Sequence, residues 1–171
     1  MTEVRAYTDI DTLAERLRTV PYESVLRTIG RVAEREGIEA YAVGGMVRDV
    51  LLGRSTTDLD FVTVGPETGI ALAEAVGEAL GGRTAHVYPK FGTAAIRIPA
   101  ADALPDDHPD DALVLEFVAA RKESYRSDSR KPEVEAGTLE DDQYRRDFTV
   151  NAMAIHLTPD RFGELIDPFD G

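Results

Sequence analysis

Two aspartates separated by a single leucine, Asp58-Leu59-Asp60, open an alternating run that continues to Val64. In a strand, residues two apart point to the same face. This spacing sends Leu59 into a core and both carboxylates together to the other side. Like charges held that close repel each other unless a cation lies between them. Hard oxygen donors that leave room for water suit Mg²⁺, with Mn²⁺ as a substitute. Glu116 falls in a second apolar run, Leu113-Val114-Leu115-Glu116-Phe117-Val118, where an unpaired carboxylate is costly to bury. Three carboxylates from neighbouring strands would make a two-metal site. One metal would activate an attacking hydroxyl and the other would bind phosphates and the leaving group. Each feature also has a plainer reading: Asp-x-Asp is commonly a solvated strand edge, and Glu116 could pair with Arg97 or Arg121.

Two further groups of residues suit an anionic ligand. Gly44-Gly45 precedes a short helical run that carries Arg48 in its first turn. Glycines let backbone amides approach a ligand closely, and a helix start favours anions. The second group is Arg145-Arg146-Asp147-Phe148-Thr149-Val150-Asn151-Ala152. Its adjacent arginines could offer guanidinium groups to a triphosphate. Asp147 and Asn151, four apart, would share a helix face and position a sugar hydroxyl or Arg48. An ordinary Gly-Gly turn and a surface helix with local charge pairs are the plainer readings. Neither the dinucleotide-binding Gly-x-Gly-x-x-Gly nor the phosphate-loop pattern ending in Gly-Lys-Ser/Thr occurs here.

The elements that must hold these residues follow from periodicity. Leu13, Leu17, Val20, Val25, Ile29 and Val32 recur at helical spacing, so Asp11 to about Glu36 reads as helix broken at Pro21 and stopped at Gly37. Strands are expected at Glu39 to Val43, Asp58 to Val64, Thr84 to Tyr88, Thr93 to Ile98 and Leu113 to Ala119. Helices are expected at Met46 to Leu52, ended by Gly53, and at Pro66 to Leu80, followed by Gly81-Gly82. Ala103 to Asp111 reads as a surface loop, and Ser124 to Gly137 as a polar, mobile stretch. Thr138 opens a last helix with Asp141 as its capping-box carboxylate, and Glu140 and Asp142 suit the positive helix end. Tyr144, Phe148, Ala152 and Ile155 would form one apolar stripe on that helix. The order predicts an α/β (α+β) fold with a mixed sheet and helices packed on it.

Composition bounds the rest. With 171 residues and 43% hydrophobic content, the chain suits one globular domain with at most a small appendage. No apolar run reaches the roughly 20 residues of a membrane span, Met1 to Ile10 lacks a secretory pattern, and cysteine is absent. A cytoplasmic protein is expected. The net charge of −13 sits awkwardly with a nucleic-acid partner, which usually meets a basic face. Either other domains hold the nucleic acid, or the acidic surface is an adaptation to salt. The basic residues are nearly all arginine; the lysines are Lys90, Lys122 and Lys131.

Taken together, these residues resemble a known family. The run Val43-Gly44-Gly45-Met46-Val47-Arg48-Asp49-Val50-Leu51-Leu52-Gly53-Arg54, followed by Asp58-Leu59-Asp60-Phe61-Val62-Thr63, is similar to the signature of the class II tRNA nucleotidyltransferases (CCA-adding enzymes) and bacterial poly(A) polymerases. Phe91-Gly92-Thr93, Arg121-Lys122-Glu123-Ser124-Tyr125 after Glu116, and Arg145 to Ala152 resemble further segments of that family, in its order, from about Tyr41 to Gly171. The resemblance implies a polymerase-β-like nucleotidyltransferase fold. It implies that Asp58 and Asp60 bind catalytic Mg²⁺ and that Glu116 is the third carboxylate. Gly44, Gly45, Arg48 and Arg146, with Asp147 and Asn151, would contact the nucleotide. The implied reaction is attack of an RNA 3′-hydroxyl, of a tRNA or of RNA generally, on the α-phosphate of ATP or CTP, releasing pyrophosphate. A non-catalytic nucleotide- or RNA-binding module, or an antibiotic nucleotidyltransferase, would share fewer of these segments. The expected organisation is a helical extension over 1–38 and a catalytic head over 39–171. We further expect a chain cut from a longer protein before the neck domain that selects the base in this family. On its own it would bind metal and nucleotide weakly and polymerise little.

Overall fold

The computed structural model describes residues 10–54, 56–124 and 133–170. Helices α1 (Ile10–Thr19) and α2 (Glu23–Glu36) flank Pro21, and α2 ends at Gly37 in the left-handed conformation, φ +67°. There follow β1 (Ala40–Val43), α3 (Gly45–Leu51), β2 (Asp58–Thr63), α4 (Thr68–Ala79), β3 (His86–Tyr88) and β4 (Thr93–Pro99). After the short α5 (Ala100–Ala103) come β5 (Ala112–Ala119), β6 (Arg121–Ser124), β7 (Glu133–Ala136), α6 (Leu139–Tyr144), β8 (Ala154–His156) and β9 (Leu165–Ile166).

Seven strands form one mixed sheet in the order β3-β4-β5-β2-β1-β8-β9, in which β2 and β5 run parallel and the other neighbours antiparallel. Alternation divides its two faces. Ala42, Leu59, Phe61, Ile96, Leu115, Phe117 and Ile155 point to the face covered by the early helices and merge with Leu17, Tyr22, Leu26, Ile29, Leu72 and Val76 into one buried core. The N-terminal helices therefore share the core of the sheet. On the opposite face a smaller cluster, Tyr41, Val43, Val62, Ala120 and Ala154, packs with Leu139 of α6. The rest of that face is where the acidic residues stand. Among the described residues no helix is long and apolar enough to cross a membrane.

Two expectations are corrected. The last helix does not run from Thr138 to Ile155. Its capping box is present, with the Thr138 amide donating to Asp141 Oδ2 at 2.9 Å and the Asp141 amide to Thr138 Oγ1 at 3.1 Å. Yet α6 stops at Tyr144, Thr149–Asn151 makes a single 3-10 turn, and Ile155 lies in β8 opposite Ala42. The stripe is thereby split: Tyr144 and Phe148 are exposed, whereas Ala152 and Ile155 are buried. Strand pairing to β1 wins over helical spacing here, helped by β-branched Thr149 and Val150, which are stiff in a helix. The second correction concerns the polar stretch from Ser124 to Gly137. Glu133 to Ala136 forms β7 and pairs with β6, with Lys122 opposite Glu135. Opposite charges across the pair suit such a ribbon, and charge hid it from a reading based on apolar alternation. The expectation of mobility concerns 125–132, which lie outside the described residues.

Candidate active site

The parallel pairing of β2 with β5 sets the site. Leu59 lies opposite Leu115 and Phe61 opposite Phe117, with their rings stacked at 5.0 Å on the core side. The same register puts Asp60 opposite Glu116. Partners in register share a face, and Asp58 is two residues from Asp60, so all three carboxylates stand on the open face. Leu59 is fully buried, while Asp58 and Glu116 are exposed and Asp60 is half-buried. Burial pushes the Asp60 carboxyl above its ordinary range. Glu116 and Asp58 push in the same direction, and the Arg146 guanidinium opposes them. Neither Arg97 nor Arg121 forms an ion pair with Glu116 among the described residues. Arg97 donates to Asp111 Oδ1 at 3.0 Å instead.

β1 runs beside β2 with Val43 opposite Asp60, so the glycine pair leaves the sheet next to this carboxylate. Gly44 adopts φ +76° and ψ −148°, a region that side chains avoid. A Cβ there would stand 3.2 Å from Asp60 Oδ2 and 3.6 Å from Arg146 Nη1. Gly45 begins α3, and a Cβ on it would stand 3.2 Å from Arg48 Nη2. Arg48 reaches across the chain, donating from Nη1 to Asn151 Oδ1 at 3.0 Å and from Nε to Asp49 Oδ1 at 3.0 Å.

Asp142 organises the arginine pair. Its side chain is wholly buried (0% exposed), and it accepts from both neighbours. Arg146 donates to Oδ2 from Nε at 3.0 Å and Nη2 at 2.7 Å. Arg145 donates to Oδ1 from Nε at 3.0 Å and also from Nη2. Arg146 further donates from Nη1 to the Asn151 carbonyl at 3.4 Å. The guanidinium of Arg146 is thus fixed beside Gly44 and Asp60. Sequence reasoning gave Asp142 only the role of an acid at a helix start. Its spacing of three and four residues from Arg145 and Arg146 was the available signal, but nothing distinguished it from Glu140 and Asp141. Asp147 behaves otherwise than expected. The backbone leaves the helix after Tyr144, so Asp147 and Asn151 do not share a helix face. Asp147 is exposed and makes no hydrogen bond among the described residues.

The acids on the open face offer oxygen donors alone, open to water on one side, which is the chemistry of a Mg²⁺-type cation. A cation would relieve the repulsion from Glu116 and Asp58 that adds to the effect of burial at Asp60. The set is not closed: among the described residues no group of three or more His, Cys, Asp or Glu side chains is gathered into a ready metal site. The fit is one of residue type and face, with Asp58 and Glu116 exposed beside the half-buried Asp60.

Residues 40–171 match the family model for the poly A polymerase head domain. An A-adding tRNA nucleotidyltransferase of Aquifex aeolicus is 42% identical over 134 residues, covering 78% of this chain and 14% of that protein. A solved structure of a CCA-adding enzyme in an apo form aligns with a TM-score of 0.74 at 34% identity, over 94% of this chain and 34% of that one. The structure of a tRNA nucleotidyltransferase complexed with a primer tRNA and an incoming ATP analogue aligns with a TM-score of 0.62 at 38% identity, over 82% of this chain and 34% of that one. The chain thus spans about a third or less of the length of these relatives. The match to the family model runs from the first residue of β1 to the end of the chain, through every segment that builds the open face, and on that ground the protein belongs to the poly A polymerase head domain family.

Proposed function

We propose that the chain is the catalytic head of a template-independent RNA nucleotidyltransferase. It transfers AMP or CMP from ATP or CTP to the 3′-hydroxyl of an RNA, a tRNA in the first instance, and releases pyrophosphate. The observation that carries this reading is the apposition of Asp60, Glu116 and Asp58 on one face with Gly44 and Arg146 alongside. Asp58, Asp60 and Glu116 would hold divalent cations, which when bound activate the attacking hydroxyl and neutralise charge on the phosphates. The amides of Gly44 and Gly45 approach the phosphates, and Arg146, held by Asp142, and Arg48, held by Asn151, face them with positive charge. In this reading residues 39–171 are the catalytic head and 1–38 a helical extension sharing its core. RNA is held chiefly by parts of the protein beyond the head, which agrees with the net charge of −13, and the work belongs to the cytoplasm.

Incorporation of α-labelled ATP or CTP into a tRNA that ends before CCA tests the reading. In the full-length protein, Asp60→Asn should lower the rate at least about a hundredfold, a barrier change of about 2.7 kcal/mol. Near-normal incorporation by that variant refutes the metal assignment. Arg146→Ala should chiefly weaken ATP binding, and an unchanged affinity refutes its role at the phosphates.

A further inference from the structure

Half of the open face, on the β4 side of the acids, has no part in holding the nucleotide. Ala95 of β4 lies directly opposite Glu116, and His86 of β3 directly opposite Ala95. His86, Ala95, Glu116 and Asp60 therefore form one row across the strands β3-β4-β5-β2. Ala94 and Ile96 are buried in the core, so Ala95 and Arg97 point to the side of the acids. His86 and Arg97 are exposed, and Ala95 is half-buried. Neighbouring strands lie about 4.8 Å apart, which leaves about 10 Å between His86 and Glu116 with only a methyl group on the floor. Arg97 donates to Asp111 Oδ1 at 3.0 Å, but the two side chains are 58% and 91% exposed. A pair so open to water is weak, and the guanidinium can exchange Asp111 for another anion.

The direction of the reaction gives this trough its occupant. Gly44, with Arg146 beside it, stands on the β1 side of Asp60, and Gly45 and Arg48 follow it there. In displacement at a phosphoryl centre the attacking and leaving oxygens lie roughly in line. Pyrophosphate leaves toward the arginines, so the hydroxyl enters from the opposite side, across Glu116. Ala95 is the next residue in that direction. A sugar can come to rest beside the third acid only where no bulky side chain stands, and alanine meets that need. The phosphate behind that sugar needs a cation. Arg97, two residues along the same strand, lies about 7 Å from Ala95 on the same face.

We propose that Ala95, His86 and Arg97 form the seat of the terminal nucleotide of the acceptor RNA, the one that carries the attacking hydroxyl. Ala95 is its floor, His86 borders the sugar, and Arg97 takes the phosphate that joins this nucleotide to the rest of the strand. The seat holds that one nucleotide, so a base-paired stem can begin directly behind it. The assignment rests on the nucleotidyltransferase reading, because it takes the phosphates of the incoming nucleotide to lie at Gly44 and Arg146.

The test is steady-state incorporation of α-labelled nucleotide into a tRNA that ends before CCA, by the full-length protein. ATP affinity is titrated in parallel, and thermal melts check the fold of each variant. Ala95→Leu should fill the seat and lower kcat/KM for the tRNA about tenfold or more. Arg97→Gln should raise the tRNA KM about fivefold and reduce its salt dependence by about one counterion. His86→Ala should raise that KM by a similar factor, and Asp111→Asn, which frees Arg97, should lower it. ATP affinity should stay within about twofold of wild type throughout. Arg97, His86 and Asp111 are exposed, so their variants decide the matter even if Ala95→Leu does not fold. Values of kcat/KM for the tRNA within about twofold of wild type in every folded variant overturn the seat, as does a loss of ATP affinity that matches the loss for tRNA. Absence of incorporation by the wild type, or near-normal incorporation by Asp60→Asn, strikes at the nucleotidyltransferase reading instead, so the two failures are told apart.

Discussion

Replacing Asp142 by asparagine removes one negative charge from an acidic chain, yet it should be among the most damaging single changes available. Asp142 is wholly buried and receives hydrogen bonds from the Nε and Nη2 of both Arg145 and Arg146. Asparagine keeps one oxygen and puts an amide in place of the other. Whichever way the amide turns, one guanidinium loses both of its hydrogen bonds to this side chain and faces a donor. Breaking a buried ion pair by removing one partner costs about 3–5 kcal/mol. The relief of overall repulsion acts in the opposite direction but only through solvent, where it is small. At about 2–4 °C per kcal/mol for a domain of this size, the melting temperature should fall by roughly 6–20 °C. Thermal unfolding followed by far-ultraviolet circular dichroism measures this, with Glu140→Gln as a control on the same helix that should move stability by no more than about 0.5 kcal/mol. ATP affinity, measured well below the lowered melting point, should fall as well, because Arg146 loses its orientation. A fall in stability below about 1 kcal/mol would show that the two arginines do not depend on this carboxylate.

Gly44→Ala should destabilise the chain by about 1–3 kcal/mol and weaken ATP binding, since φ is +76° and the new methyl would press on Asp60; an unchanged urea midpoint contradicts it. Gly30→Ala should be worse than its helical position suggests, because the Cβ would lie 1.8 Å from the Leu157 carbonyl oxygen. A loss of about 1–3 kcal/mol or more is expected from overpacking, and a gain in helix stability would mean that α2 sits further from β8. Asp141→Asn probes the capping box by pH. The Thr138 amide and hydroxyl hold the Asp141 carboxyl below its usual value, so its contribution is present above the unfolded-state pKa and is lost as pH falls through the lowered one. The variant should melt lower than wild type at pH 7 and converge with it in acid; a constant difference across pH refutes the linkage.

Much of the fold was legible because local chemistry and tertiary need agree in it. Proline at 21, glycine at 37 and 53, and the alternation around Leu59 and Leu115 mark elements that the structure contains. The three acids were readable as a shared face, since two of them sit in period-two spacing and the third interrupts an apolar run. What escaped had no local signature. The segment after Tyr144 has helical spacing, yet β1 offers an open edge, and Ala154 to His156 takes it. The β6–β7 ribbon sets Lys122 opposite Glu135 and has no apolar alternation to mark it. Asp142 is chemically identical to its neighbour Asp141, and only the closed packing around α6 makes one a buried anchor and the other a cap.

The parallel pair β2 and β5 is not joined by a hairpin, so no turn fixes how the two strands slide against each other. Alignment falls to the opposite side of the sheet, where Leu59 meets Leu115 and Phe61 stacks on Phe117. A slip of one residue would turn Glu116 inward and leave the two aspartates without their companion. Grease on one surface therefore serves as the vernier for charge on the other. Trimming Phe117 should blunt divalent-cation affinity even where the molecule still folds.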